Sequence, residues 1–404
     1  MKPVGRILFF NRFYWPEEPA TAQLLTDLAE ALAAKGLAVA VLTSAPHARS
    51  LAKSEIHRGV SIYRVRTPRL GGRTAFAKAV NWLLFSGAAL WWLLWNLRRE
   101  DTLILLTDPP LLAVLAAPVA RFRGARLFHW VQDVFPELAT VLGGVRGLGW
   151  LRALRNRAWR QAEGCVTLGK DMALLLAAQG VASQRIHVVP NWAPRGLAPA
   201  PASEIETLRC QRGLAGKFVV SYSGNLGRVH DIEPVITLAA ALRQEPDIVF
   251  IFIGDGAQRP RLTQLCQTAG LTNVRFLPHQ PREQLAASLG AGDVHLVTLR
   301  VGCEQLVLPS KFYGILAVGR PVLFIGPDCD LARQIDSAGI GQACRRVDIT
   351  RMRQLLSDWR THPEQMAAMN QHALACSQAT GGVATAASTW YSLLASPKSQ
   401  SSLS

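Results

Sequence analysis

The chain has 404 residues, of which 49% are hydrophobic and 18% charged, enough apolar material for two cores of roughly 150 to 200 residues and too little polarity for extended disorder. Its formal charge of +16 is uneven: residues 1–195 hold 25 Lys+Arg against 12 Asp+Glu, whereas residues 196–404 hold 19 against 16. A basic first half suits anionic lipid or phosphorylated substrates, and with neither a basic recognition helix nor an RNA-binding aromatic signature the sequence excludes nucleic acid as its partner.

From the start, apolar strands alternate with helical stretches. Arg6–Phe10 reads as a strand, Thr21–Lys35 as a helix with apolar residues at helical spacing, Gly36 as its C-cap and Ala38–Thr43 as the next strand. Further buried strands are expected at Ser61–Arg66, Thr102–Leu106, Arg126–Val131, Gly164–Thr167 and Ile186–Val189, which together make a doubly wound parallel sheet. Between them, Ala79–Leu97 is a run of 19 uncharged residues flanked by Arg73 and Lys78 before it and Arg98 and Arg99 after it. Three readings stay open for this run: a membrane span, a buried core helix, or a helix in the membrane interface. In the third, Trp82, Trp91, Trp92 and Trp95 sit at headgroup depth and Arg98 and Arg99 lie on anionic lipid.

A Pro- and Ala-rich stretch, Arg195–Ser203, breaks the pattern. A second alternation follows, with strands expected at Lys217–Ser221, Asp247–Ile253, Val274–Phe276, Val294–Thr298 and Pro321–Ile325. The domains expected are an N-terminal one over 1–195, a linker over 196–215, a C-terminal one over 216–375, a helix over 376–395 packing back on the first domain, and a disordered tail over 396–404. Seven Cys without a CxxC pair point to free thiols in a reducing compartment, and the first residues carry no small-residue cleavage site, so the expected location is the cytoplasm.

Three stretches carry chemistry. SYSGNLGRVHDIEP, Ser221–Pro234, follows the first strand of the second half and precedes a helix; Gly224 and Gly227 allow close backbone approach, and free amides at a helix start suit a diphosphate, although an ordinary strand-to-helix turn with Arg228 as a solvated charge fits the same residues. A second glycine turn, Gly254–Asp255–Gly256, follows the next strand at the same carboxyl edge, where open α/β sheets bind ligands. Most specific is VLPSKFYGILAVGRPVLFIG, Val307–Gly326, in which the loop Leu308–Pro309–Ser310 enters a helix that begins with Lys311. Cation and dipoles aimed at one anionic group are what the departure of a nucleotide diphosphate requires.

The order SGNLG, IGDG, NVRFLP, LPSKFYGILAVGRPV resembles the donor half of family 4 glycosyltransferases, in the bacterial polysaccharide branch related to colanic acid fucosyltransferases. HWVQDVFPELA, His129–Ala139, and VVPNWAP, Val188–Pro194, are similar to the first half of that branch, and the likeness runs from about Arg6 to about Leu394. It implies an α/β protein of two Rossmann-like domains facing across a cleft, the GT-B architecture, acting as a retaining, metal-independent hexosyltransferase. The nucleotide-sugar donor is then a co-substrate held on the second domain, no cofactor is used, and the acceptor, a lipid-linked saccharide at the inner leaflet of the membrane, approaches from the first domain. Residue by residue, the resemblance assigns diphosphate contacts to Gly224, Asn225, Arg228 and Lys311, nucleotide contacts to Gly254, Asp255, Gly256, Phe276, Leu277 and Pro278, and backbone contacts to Leu308, Pro309 and Ser310. The paired Glu of many members falls on Leu306 and Gly314, and their His-Asp pair on Gln132 and Asp133. Asp133 is therefore the polar group of the first domain expected to meet reacting hydroxyls; an Asp capping the turn before Pro136 is the alternative.

Asp328–Cys329–Asp330 imitates a metal-binding DxD motif but reads as a solvated loop, and His129 and His230 are isolated, so no metal site is expected. Two other functions compete with transfer: a sugar-nucleotide epimerase on the same fold, which would need acid and base groups not evident here, and a catalytically silent scaffold. A dinucleotide oxidoreductase is disfavoured because neither half has a complete G-x-G-x-x-G after its first strand with an acidic ribose contact downstream.

Overall fold

The computed structural model describes residues 5–45, 51–68, 71, 75–144 and 147–395; Arg73 and the tail 396–404 lie outside the described residues. Two compact units emerge. One takes in the chain up to Asn191, Gln305–Val307 and the chain from Val383 onward; the other holds Trp192–Glu304 and Leu308–Gly382.

In the first unit the elements run β1 (Ile7–Phe10), α1 (Ala20–Ala34), β2 (Val39–Ser44), β3 (Ser54–His57), β4 (Val60–Val65), α2 (Ala75–Asn96), β5 (Thr102–Leu105), α3 (Leu112–Arg123), β6 (Arg126–Trp130), α4 (Glu137–Gly143), α5 (Gly149–Gln161), β7 (Gly164–Thr167), α6 (Lys170–Ala178) and β8 (Ile186–Val188). Eight strands form one sheet in the order β3-β4-β2-β1-β5-β6-β7-β8, parallel throughout except that β3 pairs antiparallel with β4. Strand order reverses between β1 and β5, which makes their carboxyl ends a topological switch point. Ile7–Phe10 and Thr102–Leu105 are completely enclosed, because a parallel strand covered by helices on both faces must be apolar on both.

The second unit runs α7 (Ala202–Gln211), β9 (Phe218–Ser223), α8 (Glu233–Ala241), β10 (Ile248–Ile253), α9 (Arg259–Thr268), β11 (Val274–Leu277), α10 (Leu285–Gly290), β12 (Val294–Thr298), α11 (Lys311–Ala317), β13 (Val322–Ile325), α12 (Asp330–Ser337), β14 (Gly341–Cys344), α13 (Ile349–Thr361) and α14 (Pro363–Thr380). Its six strands are all parallel in the order β11-β10-β9-β12-β13-β14, reversing between β9 and β12. The final helix, α15 (Gly382–Ala395), begins after Gly381 takes a left-handed turn, and it packs in the first unit, where Trp390 meets Phe9 and Trp130 edge to face at 6.3 and 5.5 Å.

Two features differ from the sequence expectation. Of the stretch 196–215 expected as a linker, residues 202–211 form α7, tied to the second unit by the Arg209–Asp293 ion pair at 3.2 Å. Strands β3 and β14 had no counterpart in the pattern: SEIH alternates exposed and half-buried positions at a sheet edge, and GQAC is too short and too polar to register as an apolar run.

Candidate functional site

At the switch point of the second sheet, β9 ends in Ser223 and the chain turns through Gly224–Asn225–Leu226–Gly227. Gly224, Gly254 and Gly256 have φ of 130°, 125° and 155°, which L side chains rarely adopt. The close approach explains why: a Cβ on Gly254 would stand 2.4 Å from the Gly224 carbonyl oxygen, and one on Gly256 would stand 2.6 Å from the Asn225 Oδ1 and the Leu226 backbone. Leu226 N donates to the Asp255 carbonyl at 2.8 Å, and the Gln258 amide donates to the Gly227 and His230 carbonyls at 2.6 and 2.9 Å. The two glycine turns are thus one backbone surface, on which Asn225 and Arg228 are exposed and Asp255 turns back to accept from Gly256 N at 2.8 Å. Beside it Phe276 stacks on Phe252 at 5.1 Å, with Leu277 half-buried and Pro278 exposed at the strand end.

Lys311 opens α11 and sends its side chain beneath this surface. Its Nζ lies 3.5 Å from the centre of the Tyr222 ring, and a Cβ on Gly224 would come within 3.6 Å of it. The Nζ itself is buried, although part of the residue is exposed, and it makes no hydrogen bond. Burial holds its pKa well below the ordinary lysine value. Two neighbours are neutral: burial, then the charge of Lys311, pushes His230 down to about 3, and burial raises the Tyr222 phenol above its ordinary value. His230 Nδ1 donates to the Thr298 carbonyl at 2.7 Å and Arg300 N to the Val229 carbonyl at 2.9 Å, so the glycine loop is fastened across the switch point to the end of β12. A buried cation with only a ring face for company is costly, and a bound anion is the partner that would offset the cost.

Leu308, Pro309 and Ser310 form the loop entering α11, with Phe312 N and Tyr313 N donating to the Pro309 and Ser310 carbonyls at 3.3 Å. At the slots of the family's paired Glu, Gly314 faces Leu197 and Leu289, and Leu306 accepts from Val134 N at 2.9 Å within the first unit. Glu304, the nearest carboxylate, accepts from Gly302 N at 2.9 Å and so closes a local turn.

At the switch point of the first sheet the polar groups are acidic. Asp133 follows β6, its backbone N–H donates to Thr107 Oγ1 at 3.1 Å, and it forms an isolated bridge with Val307. Burial and then the charge of Asp108 raise its carboxyl to about 6. Burial also raises Asp108, partly countered by Arg12, whose guanidinium lies 3.2 Å away. A small pocket lined by Thr107, His129, Asp133 and Arg155 opens here, with His129 neutral because burial pushes it down to about 4. Helix α4 starts after Pro136 with no side-chain cap, so the turn-cap alternative for Asp133 gains no support from it. Asp108 and Arg12 were not singled out in the sequence; the signal that could have found them is a TDPP turn directly after an enclosed strand.

Compared with known families, residues 21–192 match the glycosyl transferase 4-like domain and residues 204–374 match glycosyl transferases group 1. The chain is also 32% identical over 289 residues to the 2-deoxystreptamine glucosyltransferase of Streptomyces kanamyceticus, covering 67% of this chain and 72% of that protein. The chain is a family 4 glycosyltransferase with the GT-B fold. This transferase is 29% identical over 341 residues to WcaI of Escherichia coli (strain K12), a protein named as a colanic acid biosynthesis glycosyl transferase, with 78% and 81% of the two chains covered. Its fold is shared with Anabaena HepE in complex with UDP-glucose, at a TM-score of 0.76 and 17% identity over 97% of this chain and 100% of that one.

Among the described residues of the transferase no group of three or more His, Cys, Asp or Glu could hold a metal ion. Asp328 of the DCD sequence instead pairs with Arg333 at 2.8 Å and Arg345 at 2.7 Å. Helix α2 corrects two of the three readings of Ala79–Leu97. No helix among the described residues is long and apolar enough to cross a membrane, and a purely buried helix is overturned by the exposure of Trp91 and Trp95. Phe85, Ala89 and Leu93 are buried at a spacing of four, the stripe by which α2 packs on its sheet, and Leu97 just beyond the helix continues it. Trp82 and Trp92, expected at headgroup depth, are half-buried: Arg12 lies over Trp82 at 5.8 Å, and Trp92 packs on Tyr63 at 4.8 Å with Arg6 over it at 5.9 Å. Arg98 and Arg99 are exposed.

Proposed function

We propose that this transferase moves a sugar from a nucleotide diphosphate donor to a lipid-linked saccharide, with retention of anomeric configuration and without a metal ion, in bacterial cell-surface polysaccharide assembly. The observation that carries this is the buried Lys311 Nζ, held under the Gly224 turn with no hydrogen-bond partner. A diphosphate on the amides of that turn would be the missing counter-ion, and its charge grows as the sugar departs, which is when a fixed cation contributes most. Arg228, exposed on the same loop, would add charge from the solvent side. Leu308–Ser310 would supply backbone contacts, and Gly254–Gly256 with Phe276–Pro278 would hold the nucleoside. Asp133 would hydrogen-bond a reacting hydroxyl, and the departing phosphate itself would take the proton. The UDP-glucose bound to HepE and the naming of WcaI for colanic acid biosynthesis support the donor class and the setting. The exposed Trp91 and Trp95 support an acceptor at the cytoplasmic face of the inner membrane, on which the protein would sit peripherally.

The test is thermal stabilisation against a panel of nucleotide sugars, followed by transfer to a lipid-linked saccharide with and without EDTA and assignment of the product anomer by NMR. Selective stabilisation by one donor and EDTA-resistant transfer with retention are expected. A sugar changed without an acceptor would mean an epimerase, and binding without turnover a silent scaffold; either result sinks the proposal.

A further inference from the structure

Right-handed crossovers place α2, α3 and α5 on one face of the first sheet, because each connects its strands in the same direction across the sheet. Aromatic contacts agree: Phe10 meets Phe85 of α2 at 5.9 Å, while its neighbour Phe9 points the other way to Trp390 of α15. Helix α2 packs on α3, and α3 on α5, so the three lie side by side as one layer.

The outer side of this layer repeats one composition. On α2, Trp91 and Trp95 are 66% and 65% exposed at a spacing of four, followed by the exposed Arg98 and Arg99. On α3, Phe122 is 77% exposed beside the exposed Arg121. On α5, Trp150 is 63% exposed and Leu154 and Arg157 follow it on the same helical face. None of the three helices contains an Asp or Glu. Water-exposed aromatics of this size, with arginines beside them on helices that hold no acidic residue, are costly on a surface that stays solvated.

We propose that α2, α3 and α5 together form a docking face for an anionic bilayer, with Phe122 and Trp150 inserted alongside Trp91 and Trp95. The proposal deepens the lipid-linked acceptor reading and rests on it for the reason a bilayer is present. Charge complementarity selects the occupant: phosphate headgroups match the arginines, and the aromatic rings reach the acyl boundary beneath. A second copy of this chain would bring arginines against arginines.

The experiment is co-sedimentation of the full chain with phosphatidylcholine vesicles, with and without phosphatidylglycerol. The parent should bind only the anionic vesicles. Phe122→Ser with Trp150→Ser, both outside α2, should weaken that binding roughly tenfold, as should Arg121→Glu with Arg157→Glu, whereas Phe122→Leu with Trp150→Phe should retain it. Unchanged thermal unfolding and donor stabilisation would certify the folded state. Binding by the Ser pair equal to the parent, equal binding to neutral vesicles, or a dimer that the Ser pair dissociates would each overturn the docking face. Transfer to a lipid-linked saccharide in detergent without vesicle binding would sink this inference alone; vesicle binding without any such transfer would sink the acceptor reading alone.

Discussion

At the carboxyl edge of the second sheet the polar groups are a buried ammonium, an exposed guanidinium and a pair of interlocked glycine turns; at the same edge of the first sheet they are two carboxylates, one braced by Arg12. Both edges are switch points of parallel sheets and follow the same rules of strand order. What differs is the charge each tolerates. The second lowers the pKa of its lysine, whose charged form a bound anion would favour again, whereas the first raises the pKa of Asp133 toward neutrality, which suits a group that meets hydroxyls. One architecture thus serves opposite chemistry through a few side chains at the strand ends.

The comparison breaks most sharply at Lys311. Lys311→Ala should lower kcat by about 10² to 10³-fold in a transfer assay, and near-normal turnover would remove the ammonium from the mechanism. Gly254→Ala tests the interlocked turns: with φ at 125° and the Gly224 oxygen in the way, the variant should cost roughly 1–3 kcal/mol and lose donor-dependent thermal stabilisation. If donor binding survives, the backbone surface is not the phosphate platform.

Asp133→Asn should leave donor stabilisation intact and act on pH. In the parent, kcat/KM should fall as pH drops below about 6, where the carboxyl protonates, and the variant should lose that limb. Stability carries the opposite sign. A carboxyl raised in the folded state binds its proton more tightly there than in the unfolded chain, so the parent loses stability relative to Asp133→Asn as pH rises from the ordinary carboxylate range through about 6. Parallel unfolding curves for parent and variant at pH 4 and 7 would refute the burial. The smallest effect is expected at Arg228, which is solvated: Arg228→Ala should raise the donor KM about tenfold at low salt and less at high salt. A salt-independent loss of kcat instead would place it with Lys311.

Much of this was legible in the sequence where local patterns decide the outcome. Enclosed strands such as Ile248–Ile253 announce themselves as apolar runs, and the glycine turns follow them directly. The partners that make the sites were not legible, because they come together only through the sheet. Tyr222 and Lys311 meet across the switch point, and Asp108 and Asp133 follow adjacent strands, β5 and β6. Which tryptophans of α2 turn inward was hidden for the same reason: the helix is apolar all round, and the choice is made by Tyr63, Arg6 and Arg12 on other elements.

The placement of Trp390 between Phe9 and Trp130 has a consequence for synthesis. The first unit closes its core with a helix that follows the second unit in the chain, so a nascent chain emerging from the ribosome holds the socket around Phe9 open while the second unit is made. Chaperone demand during translation should therefore concentrate on the sheet of the first unit, and a chain cut short before Gly382 would leave that sheet without its Trp390 plug.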